Sequence, residues 1–203
     1  MQKTENARVL YVGVLRDSRG ARPVEIVIQN PGLVRIAEGG TGARVTSFDG
    51  NRVFSSVGAV STDQQRILET MMADAPEAIF QQLASGEAFR RIGGGHKVAG
   101  SGTATVPAEF VDVYQLFPMG RVIRALPSAT ARFFAFDSSS LLLKYVSYRS
   151  ASGPTVNSRF EEWRTTGGES HPGRIRRLEN GVEVFSVDIQ AIQVGSRLGA
   201  GLF

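Results

Sequence analysis

The links between the first apolar runs are too short for anything but antiparallel pairing. Residues 8–16 end on Asp17-Ser18-Arg19-Gly20, and residues 23–29 end on Asn30-Pro31-Gly32. Residues 33–37 follow, and then 44–48 meet 52–55 across Asp49-Gly50-Asn51. A parallel crossover needs about a dozen residues or more, whereas Asp-Gly between apolar runs is a hairpin signal. Five strands in an antiparallel meander are therefore expected. Within 23–29, Val24, Ile26 and Ile28 share one face while Glu25 and Gln29 take the other, the period of a strand buried on one side.

The period changes after Ser61. Ser61 and Gln64 have capping-box spacing. Ile67, Leu68, Met71 and Met72 form one helical stripe, and Ile79, Phe80 and Leu83 continue an apolar face. Pro76 suits the first turn of a restarted helix, and Gly86 suits a stop. Two short helices kinked near Pro76 are expected, a helical insert over about 61–86.

Strand patterns then return. A short strand is expected at 88–92 and a flexible loop at Gly93-Gly94-Gly95-His96-Lys97. Further strands are expected at 103–106, 109–117, 121–126, 131–136, 141–149, 156–164, 173–178 and 182–194, with turns at 137–140 and 179–181. In the last strand Phe185, Val187, Ile189 and Ala191 share one face. One large antiparallel sheet interrupted by a helical pair accounts for the pattern.

Composition excludes several chemistries. Cysteine is absent and only two histidines occur among 203 residues, which removes disulfides, thiolate metal sites, cysteine nucleophiles and His-rich metal sites. No metal and no cofactor are expected. Arginine dominates the cations, with Lys3, Lys97 and Lys144 the only lysines among 23 basic residues. The net charge is +4, yet the arginines are scattered and the densest group is Arg174, Arg176 and Arg177. Nucleic-acid binding requires a basic face rather than a total, so it is not expected. No apolar run reaches membrane-spanning length, and no charged segment followed by an apolar one opens the chain.

Catalytic spacings are missing. Gly195-Ser196-Arg197-Leu198-Gly199 places its serine one position too early for a nucleophile elbow, and Gly93–Lys97 lacks phosphate-loop order. His171, followed by Pro172, reads as a loop residue. Glu161 and Glu162 point to opposite faces if they share a strand. Asp112, Asp137 and Asp188 sit where a polar face or a turn would put an acid. An enzyme, the third reading, would need a polar cluster around Asp137, Glu162 or His171 within hydrogen-bonding reach.

The positive signal is surplus apolar surface. Phe133-Phe134-Ala135-Phe136 and Leu141-Leu142-Leu143 are apolar on both faces. A curved sheet over the helices gives two readings of equal weight. One is a cavity for an apolar ligand between sheet and lid, where Met71 and Met72 would adapt to an irregular partner. The other is a well-filled core, and hence a non-catalytic structural or protein-interaction module. The cavity reading nominates Leu68, Met71, Met72, Ile79, Phe80, Leu83, Phe134, Phe136, Phe185, Val187 and Ile189.

The second half also carries a family resemblance. Val111-Asp112-Val113-Tyr114-Gln115-Leu116-Phe117 precedes Arg132-Phe133-Phe134-Ala135-Phe136-Asp137-Ser138-Ser139-Ser140-Leu141-Leu142-Leu143-Lys144. Val156-Asn157-Ser158-Arg159-Phe160-Glu161-Glu162-Trp163-Arg164, Arg174-Ile175-Arg176-Arg177 and residues 185–194 follow, and the chain ends on Leu202-Phe203. This order resembles the LolA-like superfamily of bacterial outer-membrane lipoprotein carriers and lipoprotein-sorting proteins, over roughly residues 8–203. The resemblance implies a mainly β, α+β fold: a single half-barrel domain over 1–203, a curved antiparallel sheet forming an incomplete β-barrel with helices packed on its concave side. It implies a periplasmic or cell-envelope location, with a signal peptide removed. It implies lipid or lipoprotein acyl chains as ligands, envelope proteins as further partners, and neither catalysis nor cofactor.

Overall fold

The computed structural model describes residues 8–29, 32–40, 42–79, 87–98, 109–118, 131–150 and 153–195. The expected five-strand meander opens the chain as β1 (Arg8–Asp17), β2 (Gly20–Gln29), β3 (Leu33–Glu38), β4 (Arg44–Phe48) and β5 (Val53–Ser55). After the helical insert come β6 (Glu87–Val98), β7 (Glu109–Pro118), β8 (Phe133–Asp137), β9 (Leu143–Arg149) and β10 (Thr155–Glu161). A small hairpin, β11 (Arg164–Thr166) and β12 (Glu169–His171), precedes β13 (Arg174–Glu179) and β14 (Val182–Gly195). The strands expected at 103–106 and 121–126 lie outside the described residues.

Twelve of these strands form one antiparallel sheet in the order β5-β4-β3-β2-β1-β14-β13-β10-β9-β8-β7-β6, not closed into a barrel; β11 and β12 pair separately. The first and last strands meet at the middle, β1 against β14. On β1 the inward residues alternate as a half-buried sheet demands: Val9, Tyr11 and Leu15 are at most 2% exposed. On β2 Val24, Ile26 and Ile28 are at most 4% exposed, but Val27 and Gln29 are buried too, at 7% and 0%, so the end of this strand is covered on both faces rather than one.

The helix α1 (Thr62–Glu69) begins with the expected capping box between Ser61 and Gln64. It runs into a π-turn over Thr70–Asp74, closed by the Ala75 amide donating to the Thr70 carbonyl. The chain bends at Ala75 and a second helix, α2, starts at 76. The kink expected near Pro76 is thus present, preceded by the wider turn. Helix α1 touches both β4 and β14, and the π-turn touches β3. Four inter-strand steps separate β4 from β14, about 19 Å if the sheet were flat, nearly twice the width of a helix. One helix reaches both because the sheet curls around it.

Several sequence expectations change. The strand expected at 141–149 begins at Leu143, because Leu141 closes the turn with a φ of 59° and is 68% exposed, so it adds no apolar surface to the sheet. Gly93–Lys97 is not a loop: it lies inside β6, whose pairing with β7 shifts register between Arg91 and Gly93 and again before His96. Glycines let the strand bulge while still pairing. The run 156–164 breaks at Glu162, which adopts a φ of 55°, so Glu161 and Glu162 do not share a strand. In β14 the alternation slips. Val12 pairs with Ala191 and Gly13 with Ile189, leaving Gln190 as the extra bulge residue. Ala191 is therefore exposed, while Ile192, opposite Tyr11, packs on the core.

Candidate functional site

The concave face is apolar where the helices rest on it. Leu68, Met71 and Ile79 from the helices join Phe134, Phe185, Val187 and Ile189 from the sheet in one core cluster, each at most 5% exposed. Met72 and Phe136 are half-buried at its margin, with Phe48, Trp163, Val184 and Ile192. Nine of the eleven residues nominated from sequence thus come together around the helices. Phe80 and Leu83 lie outside the described residues.

Polar donors on the sheet receive acids from the helical segment. Arg177 on β13 points inward and is only 2% exposed. Its Nη1 lies 3.0 Å from Glu69 Oε2 and donates to the Arg66 carbonyl and the Thr70 hydroxyl, each at 3.3 Å. Its Nη2 lies 3.1 Å from Glu179, which also pairs with Arg66 at 2.7 Å. Tyr148 on β9 donates to Glu69 Oε1 at 3.1 Å. Arg132 lies over the Tyr148 ring at 4.3 Å, pairs with Asp74 at 3.0 Å through Nε, and reaches Glu69 at 3.4 Å through Nη2. Ser158, the β10 partner of Arg177 across the strands, donates to Asp74 at 2.6 Å. Burial raises the Asp74 carboxyl to about 6, against Arg132, Ser158 and Arg177, which pull it down. Burial also holds the Tyr148 hydroxyl protonated well above its usual range, so it remains a donor.

A second junction joins α2 to the sheet. The Tyr11 hydroxyl donates to Glu77 Oε1 at 2.8 Å. His171 Nδ1 lies 3.3 Å from the same oxygen and 3.4 Å from the Tyr11 hydroxyl. The two rings meet edge to face, and His171 Nε2 lies 3.7 Å from Glu169. His171 is thus not a loop residue: it ends β12 and is 0% exposed. Tyr11 and Glu77 are 1% and 3% exposed, while the Glu169 side chain is 14% exposed. A polar cluster around His171 is thus present, and it ties α2 to the sheet.

The other acids behave as turns and polar faces require. Asp137 accepts from the amides and hydroxyls of Ser139 and Ser140, and those bonds hold its carboxyl well below the usual range. Asp188 pairs with Arg16 and Arg174, and Asp112 with Arg91. The densest arginine group is no basic patch. Arg174 pairs with Asp188, Arg176 with Glu161 and Glu183, and Arg177 turns inward. A groove of about 440 Å³ at the rim is lined by Arg16, Asp17, Ser18, Asp63, Arg66, Glu183, Val184 and Phe185; this charged lining does not suit an acyl chain. Among the described residues no three His, Asp or Glu side chains are grouped to hold a metal ion, and no helix is long and apolar enough to cross a membrane.

No family model matches the sequence, and no curated protein does. Solved structures do match the fold. A LolA superfamily protein from Nitrosomonas europaea aligns with a TM-score of 0.61 at 12% identity, over 100% of this chain and 91% of its own. A putative outer membrane lipoprotein-sorting protein domain from Vibrio parahaemolyticus aligns with a TM-score of 0.51 at 10% identity, over 98% of this chain and 89% of its own. With its open antiparallel sheet curled around a helical insert, the chain has the LolA-like fold expected from its strand motifs.

Proposed function

We propose that the protein holds an apolar ligand, a lipid or a lipoprotein acyl chain, between the concave face of the sheet and the helices, and carries or sorts it in the bacterial envelope. The observation that carries this reading is the apolar inner face with its half-buried margin of Met72, Phe136, Trp163 and Ile192. Removing apolar surface from water drives such binding at about 25 cal/mol per Å², and a margin already half out of water lets a chain enter beside the helices. A periplasmic or envelope location, envelope proteins as partners and a non-catalytic role go with the reading. The LolA superfamily and lipoprotein-sorting descriptions of the fold neighbours support it.

Native mass spectrometry of the purified protein tests this, together with titration by a fluorescent fatty acid. Co-purified lipid and saturable binding are expected. A bare protein that takes up no fatty acid would favour the second reading, a non-catalytic interaction module with a filled core. That reading draws on the full burial of Met71, Phe134, Phe185 and Val187.

A further inference from the structure

The helical segment offers three acids to the sheet, Glu69, Asp74 and Glu77, and they are not equivalent. Asp74 is fully buried and Glu77 is 3% exposed. The Glu69 side chain is 37% exposed, although the arginine beneath it is only 3% exposed. Glu69 is therefore the one acid of the three that can turn out to water by changing rotamer.

What Glu69 would leave behind is held in place by other residues. Arg132 keeps Asp74 on its Nε, and Arg177 keeps Glu179 on its Nη2. Tyr148 is fixed beneath the Arg132 guanidinium. The Nη2 of Arg132, the Nη1 of Arg177 and the Tyr148 hydroxyl all converge on the two Glu69 oxygens, at 3.4, 3.0 and 3.1 Å. One guanidinium nitrogen from each of two arginines and a phenol around one carboxylate are charge-assisted donors of the kind that recognise carboxylates and phosphates. An arginine on the inner face of a strand is costly to bury, and an apolar residue there would pack the helix as well.

We propose that Arg132, Arg177 and Tyr148 form a binding site for the anionic headgroup of an amphiphile, with the Glu69 carboxylate as its resident occupant. The inference rests on the apolar-ligand reading and adds the ligand's charge. An incoming phosphate or carboxylate displaces Glu69 into water while the tail lies on the apolar face beside Met72. No bond is made or broken beyond hydrogen bonds and ion pairs.

Calorimetric titration with dodecyl phosphate, dodecyl maltoside and inorganic phosphate tests this. The first two share a tail and differ in charge; the third lacks the tail. The expected result is that dodecyl phosphate binds about tenfold or more tighter than the maltoside, the size of one hydrogen-bonded charge contact, and that inorganic phosphate binds far more weakly. Glu69→Ala removes the competitor and should tighten dodecyl phosphate alone. Arg132→Gln and Tyr148→Phe should erase the preference while leaving maltoside binding intact, with circular dichroism confirming their fold; both leave the buried Arg177 untouched. Equal binding of the two amphiphiles overturns the headgroup site and leaves the apolar-ligand reading standing. Binding of neither overturns both. Inorganic phosphate matching dodecyl phosphate overturns the amphiphile assignment in favour of a free-anion site.

Discussion

The Tyr11 hydroxyl and the Glu77 carboxylate meet at 2.8 Å, joining the first strand to the second helix. The bond lies at the centre of the sheet, because Tyr11 sits between Ile26 on β2 and Ile192 on β14. Burial, and then the Glu77 charge, keep the phenol protonated far above its usual range. Tyr11 is therefore a permanent donor to Glu77.

Tyr11→Phe removes that donor without changing the ring's packing. A buried carboxylate losing a hydrogen bond costs about 1–3 kcal/mol. Urea unfolding should show a lower midpoint, whose shift multiplied by an unchanged slope gives that amount. An unaltered midpoint would mean that the junction does not hold the helix.

Gly13 is required by the bulge beside it. A Cβ there would overlap the Asp188 carbonyl oxygen, which is backbone and cannot rotate away. Gly13→Ala should cost about 1–3 kcal/mol by overpacking, a drop of a few degrees in Tm for a chain of this size. Gly20, which an added Cβ would leave in open space but whose φ is 96°, makes a useful comparison. Gly20→Ala loses stability through backbone strain alone, so structure determination should show β1 and β14 undisturbed there and separated at Gly13→Ala.

The sheet and its helices were legible in the sequence because their signals are local. Turns such as Asp49-Gly50-Asn51 and the Ser61–Gln64 box depend on neighbouring residues alone. The bulge opposite Gly13 was not legible, since it arises from pairing residues far apart in the chain, and one extra residue inverts the face of everything after it. That is why period two alone turns Ala191 and not Ile192 inward, the reverse of what the bulge produces. The polar network was partly legible. Arg177 is two residues from Ile175 on one strand, so period two already turns it toward the core. His171 had no such signal; its place follows from the β11–β12 hairpin folding back toward Tyr11. The nominated apolar residues that the structure describes pack together because core-forming side chains obey the same period as any that would face a ligand.

Asp74 gives the fold a distinctive pH response. Its carboxyl is raised from 3.8 to about 6 by burial, only partly offset by Arg132 and Ser158. A raised folded-state value means that the unfolded chain releases this proton first. The stability contribution is therefore complete below about 3.8 and lost as pH rises through about 6, in total about 3 kcal/mol at about 1.4 kcal/mol per pH unit. Asp17 acts in the opposite sense. Despite the desolvation of its site, hydrogen bonds from Arg22 and Arg19 hold its carboxyl below the usual range, so its contribution is lost as pH falls. Comparing the parent with Asp74→Asn cancels Asp17. The parent's advantage over the variant should shrink by about 3 kcal/mol between about pH 4 and pH 7. Parallel stability profiles would show that Asp74 does not titrate in that window.

Met71 and Met72 are neighbours with different burial, and that difference separates packing from binding. Met71 is 0% exposed within the core cluster, whereas Met72 is half-buried at its margin. Met71→Ala opens a void that the surroundings fill only in part, costing about 2–5 kcal/mol. It should lower the unfolding midpoint yet leave fatty-acid affinity within a few-fold at low temperature. Met72→Asp places a charge where water already reaches, so it should leave the circular dichroism spectrum and most of the stability intact. On the proposed ligand path, however, that charge must be desolvated whenever an acyl chain lies beside it. Fluorescent fatty-acid binding should therefore fall at least tenfold in Met72→Asp, and full affinity in a folded Met72→Asp would remove this margin from the ligand path.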